Sequence, residues 1–308
     1  MRPQETMKGT LPLLQAGHFR GPRGVSRLLV GTDFSLRSEF ALARALRLPL
    51  GQGGVFCVMH AAPALEGPEG AVSGERCLRK ATSSVCRRLR HRVDVDVHEA
   101  SRRGEPVEAV SAVSGELGAE LVVLGRPHVT YPPRALAEDS LVRRLVRRLG
   151  ASVLVVVPHP VRPYARPLVA VDFSRESRRA LELMLRLCPA PVPVDVLHVV
   201  DTREEEESLR QSGAPAEQWL LLRQERERAA RVSLGRFLAP YRETGRELEV
   251  RVRNGEPGEG ILAEAAERDS DLVVLAMSGD EARTPLTERV LARATCDVLV
   301  TRHARPVS

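Results

Sequence analysis

The chain has 308 residues, 43% hydrophobic and 28% charged, with aromatics at only 3%. That suits about two folded domains with aliphatic cores, and it speaks against both disorder and base stacking on aromatic side chains. The net charge of +6 is uneven, at +3 over residues 1–24, +6 over 25–165 and −3 over 166–308. No apolar stretch approaches the roughly 20 residues that span a bilayer. Cys57, Cys77, Cys86, Cys188 and Cys296 form no C-x-x-C, so reduced thiols are expected rather than a disulfide framework or a zinc site.

Residues 1–24 read as a flexible tail. Its apolar piece, Leu11 to Leu14, is too short for a signal peptide, Met7 is an alternative start, and a cytoplasmic location is expected. Apolar runs then predict five strands over Leu28–Thr32, Val55–Met59, Val93–Val97, Leu121–Leu124 and Val153–Val157. Val93 to Val97 alternates apolar and polar, as an edge strand does. Ala41, Leu42, Ala45 and Leu46 mark one buried helical face. The prolines of 158–163 predict a short stiff linker between domains over 25–157 and 164–303, with 304–308 as a C-terminal tail.

The same series then recurs. Strands are predicted over Leu168–Val171, Val194–Val200, Leu248–Val252, Leu272–Leu275 and Val298–Thr301, with a helix over Glu217–Leu238. Residues 27–42 and 166–181 are identical at nine of sixteen positions, at an offset of 139. Gly104-Glu105-Pro106 returns as Gly255-Glu256-Pro257. A repeat this long is a duplicated domain. The second copy has twelve extra residues around Glu204 to Pro215 and six fewer after its fourth strand. Strands alternating with helices predict two doubly wound α/β sheets of five parallel strands, order 3-2-1-4-5. The apolar fifth strands, Val153–Val157 and Val298–Thr301, would be exposed edges unless they cover each other.

In such sheets ligands sit at the carboxyl ends of the strands. There stand Asp33, Ser35 and Gly125-Arg126-Pro127-His128 in the first copy, and Asp172, Ser174 and Ala276-Met277-Ser278-Gly279 in the second. The pattern V-x-x-D-F-S-x-x-S-x-x-A-L, L-H-V-V at 197–200, G-E-P, D-L-V-V-L and C-x-V-L-V resembles the universal stress protein family over nearly all of 25–157 and 164–303. It is similar to the tandem members, whose two domains pack as an internal pseudo-dimer. The resemblance implies an adenine-nucleotide site with candidate contacts Asp33, Val58, Gly125, Ser140 and Leu141 in the first copy, and Asp172, Val199, Gly279 and Thr284 in the second. Against the family's glycine-rich phosphate loop, His128 and Asp139 replace glycines in the first copy and Pro132-Pro133 stiffens it. The second copy has Ala276 for the first glycine and a loop about five residues short at Thr284-Pro285. Asp33 and Asp172 either contact a ligand or cap the turn with Ser35 and Ser174, and the capping role is preferred. His198 reads as a strand residue, with Cys57 as its partner, and Trp219 as packing.

No Walker loop, G-x-S-x-G or metal-ligand motif appears, and Lys8 and Lys80 are the only lysines. The expected function is a stress-response regulatory or scaffold module that meets a protein partner and requires no cofactor. The alternative is an ATP binder using the first copy, with or without slow hydrolysis. The basic stretches at 87–92 and 143–148 read as solvated helix faces rather than a nucleic-acid surface. A further homodimer stays open.

Overall fold

The computed structural model describes residues 24–64, 68–91, 94–126, 140–188, 190–277 and 284–302. The expectations for 1–23, His128, Pro132-Pro133, Asp139, Gly279 and 304–308 lie outside the described residues. The first repeat runs β1 (Val25–Thr32), α1 (Leu36–Ala45), β2 (Leu50–Ala62), α2 (Pro68–Leu89), β3 (Val95–Arg103), α3 (Pro106–Leu117), β4 (Leu121–Gly125), α4 (Leu141–Arg148) and β5 (Ser152–Val156). The second runs β6 (Pro167–Ala170), α5 (Arg175–Leu187), β7 (Val194–Val200), α6 (Arg203–Gln211), α7 (Ala216–Leu238), β8 (Leu248–Asn254), α8 (Pro257–Glu267), β9 (Leu272–Ala276), α9 (Thr284–Arg293) and β10 (Asp297–Thr301). The extra residues of the second repeat form α6, which packs on α7 where the Arg210 guanidinium lies 4.8 Å over the Trp219 ring.

All ten strands join one sheet, in the order β3-β2-β1-β4-β5-β10-β9-β6-β7-β8. Each half keeps the predicted order. The halves meet through β5 and β10, which pair antiparallel with Val153, Leu154 and Val155 opposite Val300, Leu299 and Val298. Both strands are buried along their whole length, so two apolar edges cover each other. The alternating strands β3 and β8 form the outer rims, as their patterning predicted. Helices α1, α2, α5 and α7 cover one face of the sheet, and α3, α4, α8 and α9 cover the other. The buried thiols of Cys188 and Cys296 are pushed up to about 12 by desolvation.

The repeated G-E-P is a helix start. Gly104 and Gly255 adopt φ of 128° and 130°, a region that suits glycine. The carboxylates of Glu105 and Glu256 then accept from the next helix's first amides, Val107 and Glu108 in one repeat and Gly258 and Glu259 in the other. Proline at the first helical position needs no partner for the amide it lacks.

At the junction of the halves Asp297 is wholly buried. Its carboxylate pairs with Arg44 Nε at 2.8 Å and accepts from Tyr164 Oη at 2.7 Å, the Val157 amide at 2.9 Å and His159 Nε2 at 3.2 Å. The Arg44 guanidinium also donates to the Arg162 carbonyl and stacks 4.0 Å from the Tyr164 ring centroid. One carboxylate of the second repeat thus gathers α1 of the first repeat, His159 of the linker and the residues that flank the linker, Val157 and Tyr164. The arrangement is not mirrored, because the positions equivalent to Arg44 and Asp297 hold Leu183 and Ser152.

A second charged contact crosses the junction. Glu288 on α9 pairs with Arg143 and Arg147 on α4. Arg143 and Glu288 are equivalent positions of the two repeats, so duplication and divergence have turned a like-with-like contact into an opposite-charge one. Arg144 and Arg148 pair with Glu105 and Glu108. Arg144, Arg147 and Arg148 are thus exposed, as a solvated face requires, but each is paired with a glutamate, and Arg143 is largely covered. Arg126 donates to the Ala292 and Ala294 carbonyls at the end of α9, and Arg302 to Arg147 and Leu149 at the end of α4. Each repeat thus places a cation on the negative end of the other's helix.

Two predictions follow from this junction. Arg44→Leu leaves Asp297 buried beside only neutral donors and His159, and should lower unfolding stability in urea by about 3–5 kcal/mol. The double variant Arg44→Leu/Asp297→Ser installs the pair found at the mirror positions, and should recover about 1–3 kcal/mol of that loss. A double variant no more stable than the single one would show that the pair carries no coupling. The second concerns pH. The hydrogen bond to Asp297 raises the His159 pKa above its ordinary value, despite partial burial. His159 stabilisation is therefore full below about pH 6.5 and lost as pH rises through the raised value. His159→Gln should flatten this part of the melting-temperature profile between about pH 5.5 and pH 8.5; an unchanged slope would exclude His159 as its source.

Candidate functional site

Each repeat turns the same corner after its first strand. Phe34 and Phe173 adopt φ of 62° and 65°, in the left-handed region that bulky residues avoid. The strain is held from both sides. The Ser35 amide donates to Asp33 Oδ1 at 3.0 Å, and the Ser174 amide to Asp172 Oδ1 at 3.0 Å. The Phe rings pack on His60 and His198 with centroids 4.4 Å apart in both repeats. Those histidines face backbone carbonyls through Nδ1, His60 to Thr32 at 2.9 Å and His198 to Val171 at 2.8 Å, which assigns the proton to Nδ1. Burial lowers the His198 pKa. Ser35 and Ser174 then cap α1 and α5.

The corner corrects one alignment. His198 is indeed a strand residue, but its structural partner is His60, not Cys57. The shift is three residues, an odd number, so it moves side chains to the other face of the strand. Val58 accordingly lies in the core under α1 and α2, wholly buried, and does not reach the candidate site. The residue equivalent to Val199 is Ala61, which does. The signal was present in the sequence, since His60 is the histidine nearest the end of its strand, but the L-H-V-V pattern drew the alignment onto Val55 to Met59.

In the first repeat a cleft of about 440 Å³ opens where the chain leaves β1 and β4 in opposite directions. Asp33, Gly125, Ser140 and Leu141 all line it, together with Ala61 and Arg37. Burial acts to raise the Asp33 carboxyl, but hydrogen bonds from Ser35 and Ser38 outweigh it and hold the group below the ordinary carboxylate value. Ser140 caps α4, with the Arg143 amide 3.4 Å from its hydroxyl. Gly125 has a packing reason to be glycine, because a Cβ there would stand 2.7 Å from the Arg37 carbonyl oxygen. Arg37 makes no ion pair among the described residues. Arg126, by contrast, is spent on α9, and burial lowers its pKa.

The matching cleft of the second repeat is smaller, about 290 Å³, and is lined by Asp172, His198, Val199, Ala276, Leu286 and Thr287 among others. The Asp172 carboxylate accepts from the Ser174 hydroxyl and from Ser177 Oγ at 2.8 Å. Glu176 stands at the position of Arg37, and Pro285 at that of Ser140. Thr284 begins α9. Arg37 and Ser140 of the first cleft thus correspond to Glu176 and Pro285 in the second. Among the described residues no group of three His, Cys, Asp or Glu side chains could hold a metal ion, and no helix is long and apolar enough to cross a membrane.

The model of the universal stress protein family matches the chain twice, over residues 24–157 and 163–302. No curated protein matches it. Among solved structures, a universal stress protein from Archaeoglobus fulgidus superposes with a TM-score of 0.62 at 16% identity, over 90% of this chain and 96% of that one. A protein described as a putative universal stress protein from Pseudomonas aeruginosa gives 0.57 at 14% identity, over 91% and 94%. At these identities the superpositions speak for the fold, and the double family match for the ancestry. The chain belongs to the universal stress protein family, as a tandem of two of its domains.

Proposed function

We propose that the chain is a cytoplasmic regulatory binding module of the stress response that signals to a protein partner, with small-molecule capacity confined to its first repeat and no obligatory nucleotide. The observation that carries this reading is the asymmetry of the two clefts. The first has the volume of a ligand pocket and groups of both charges, Asp33 and Arg37. The second has exchanged the cation for Glu176 and the capping serine for Pro285.

An adenine nucleotide is the ligand class best suited to the first cleft. Arg37 and the capped start of α4 are the groups suited to its phosphates, and Asp33 to its sugar. The fit is partial. The α4 arginines are committed to glutamates and Arg126 to α9, and the sequence places Asp139 where phosphate charge would gather. Regulation by occupancy, rather than turnover, is the reading that agrees with this, since the hydroxyls held against Asp33 and Asp172 serve to cap the helices that follow.

Calorimetric titration of the full chain with ATP tests the asymmetry. Ala61→Phe, which fills the first cleft, should weaken any binding by about tenfold or more, whereas Val199→Phe in the second should leave it unchanged. The opposite result would reject the assignment. A further prediction concerns the loop. His128→Gly with Asp139→Gly removes the carboxylate that stands in sequence where the family's phosphate loop has glycine, and restores two small residues. It should tighten ATP binding at least about tenfold, a gain of about 1.4 kcal/mol. Unchanged affinity in a folded variant would leave Pro132-Pro133 as the obstacle.

A further inference from the structure

Beside the nucleotide-type cleft, on the other side of α1, the first repeat has a second and larger cavity of about 540 Å³ between α1 and α2. Phe34, Leu36, Phe40 and Leu46 form its apolar wall, and Leu36 is 67% exposed. Lys80 and Arg88, both on α2, supply positive charge, and Glu39 is the acidic residue of the lining. Among the described residues Lys80 and Arg88 make no ion pair, whereas the arginines of α4 are all paired.

The second repeat shows that the scaffold does not require this opening. Ala81, Val85 and Leu89 of α2 correspond to Ala230, Leu234 and Leu238 of α7, which places Arg88 at the position of Phe237. Phe237 is buried there, with its ring centroid 6.0 Å from that of Phe173 and the Arg178 guanidinium 4.5 Å above it. Tyr241 closes the same space through a 2.9 Å hydrogen bond to Glu182. The first repeat has Glu39 for Arg178 and Ala43 for Glu182. Its outer α1 face carries Leu36 and Phe40, where α5 carries Arg175 and Arg179. Relative to the second repeat, the first thus lacks the aromatic plug, has an apolar wall and carries at the cavity two cations without an ion pair among the described residues. Exposed apolar side chains are costly unless something covers them, and unpaired cations beside an apolar wall select an anionic head on an apolar body.

We propose that this cavity binds a free single-chain anionic amphiphile of the fatty-carboxylate class. The acyl chain lies on Phe34, Leu36, Phe40 and Leu46, and the carboxylate meets Lys80 and Arg88. The volume falls in the range of small-molecule pockets, which favours one acyl chain over a protein helix laid in a long groove.

Sodium myristate below its micelle concentration, titrated into the full chain by calorimetry, is the test. One molecule should bind per chain, and myristyl trimethylammonium, with the same tail and the opposite charge, should bind at least about tenfold more weakly. Arg88→Phe with Glu39→Arg rebuilds the plug of the second repeat and should abolish binding. Lys80→Ala changes an exposed, unpaired side chain, so the fold is kept, and should weaken myristate about fivefold. Ala61→Phe, in the neighbouring cleft, should have no effect on it. The proposal is overturned if myristate does not bind, if the plugged and parent chains bind it equally, or if the cationic amphiphile binds as well. It is also overturned if phosphatidylglycerol vesicles are bound while monomeric myristate is not.

Discussion

A single carboxylate without solvent access, that of Asp297, fixes how the two halves of this molecule sit together. An isolated charge in such a place is expensive, and it persists only when paired and hydrogen-bonded. Here the pairing comes from α1 of the other repeat, from His159 of the linker and from Val157 and Tyr164, which flank the linker on either side. Apolar pairing of β5 and β10 supplies adhesion between the halves, but a strand edge of valines and leucines has little preference for one register. The buried carboxylate supplies that preference, because a slip of either strand would part it from Arg44.

Duplication explains why such a device exists on one side only. Two identical subunits related by a twofold axis must present the same residue to each other at equivalent positions. A tandem chain is released from that requirement. Position 143 became arginine while position 288 became glutamate, and 44 and 297 became a charge pair while 183 and 152 became leucine and serine. The same freedom acted on the clefts, where Arg37 is opposed by Glu176 and Ser140 by Pro285. Structural asymmetry and functional asymmetry have one origin.

Much of this could be read in the chain before any coordinates. Strands buried on both faces are runs of valine and leucine, so β4, β5, β9 and β10 were placed to within a residue or two, and the edge position of β3 and β8 followed from their alternation. The strand order came from the family resemblance and the helix–strand alternation together. What was not legible was three-dimensional in origin. The positive φ of Phe34 has no local sequence signal, because phenylalanine there is chosen for its contact with His60, a residue 26 positions away. The three-residue slip that misplaced Val58 arose because β2 is longer than its apolar run suggests, with Gly51, Gln52, Gly53 and Gly54 inside the strand. Nor could the sequence show that the arginines of α4 would find glutamates on α3 and α9, since ion pairs between helices depend on packing.

The short linker has a consequence for how the two halves associate. A dimer of separate domains forms only above a concentration set by its affinity, and every loss of contact raises that threshold. Two domains joined by a few residues meet at an effective concentration that no cellular dilution alters. Association ceases to be a selected property of the β5–β10 surface in its own right. Residues there and on α4, α9 and the linker are then at liberty to serve orientation instead of attraction, and each half can change its own pockets without putting the partnership at risk.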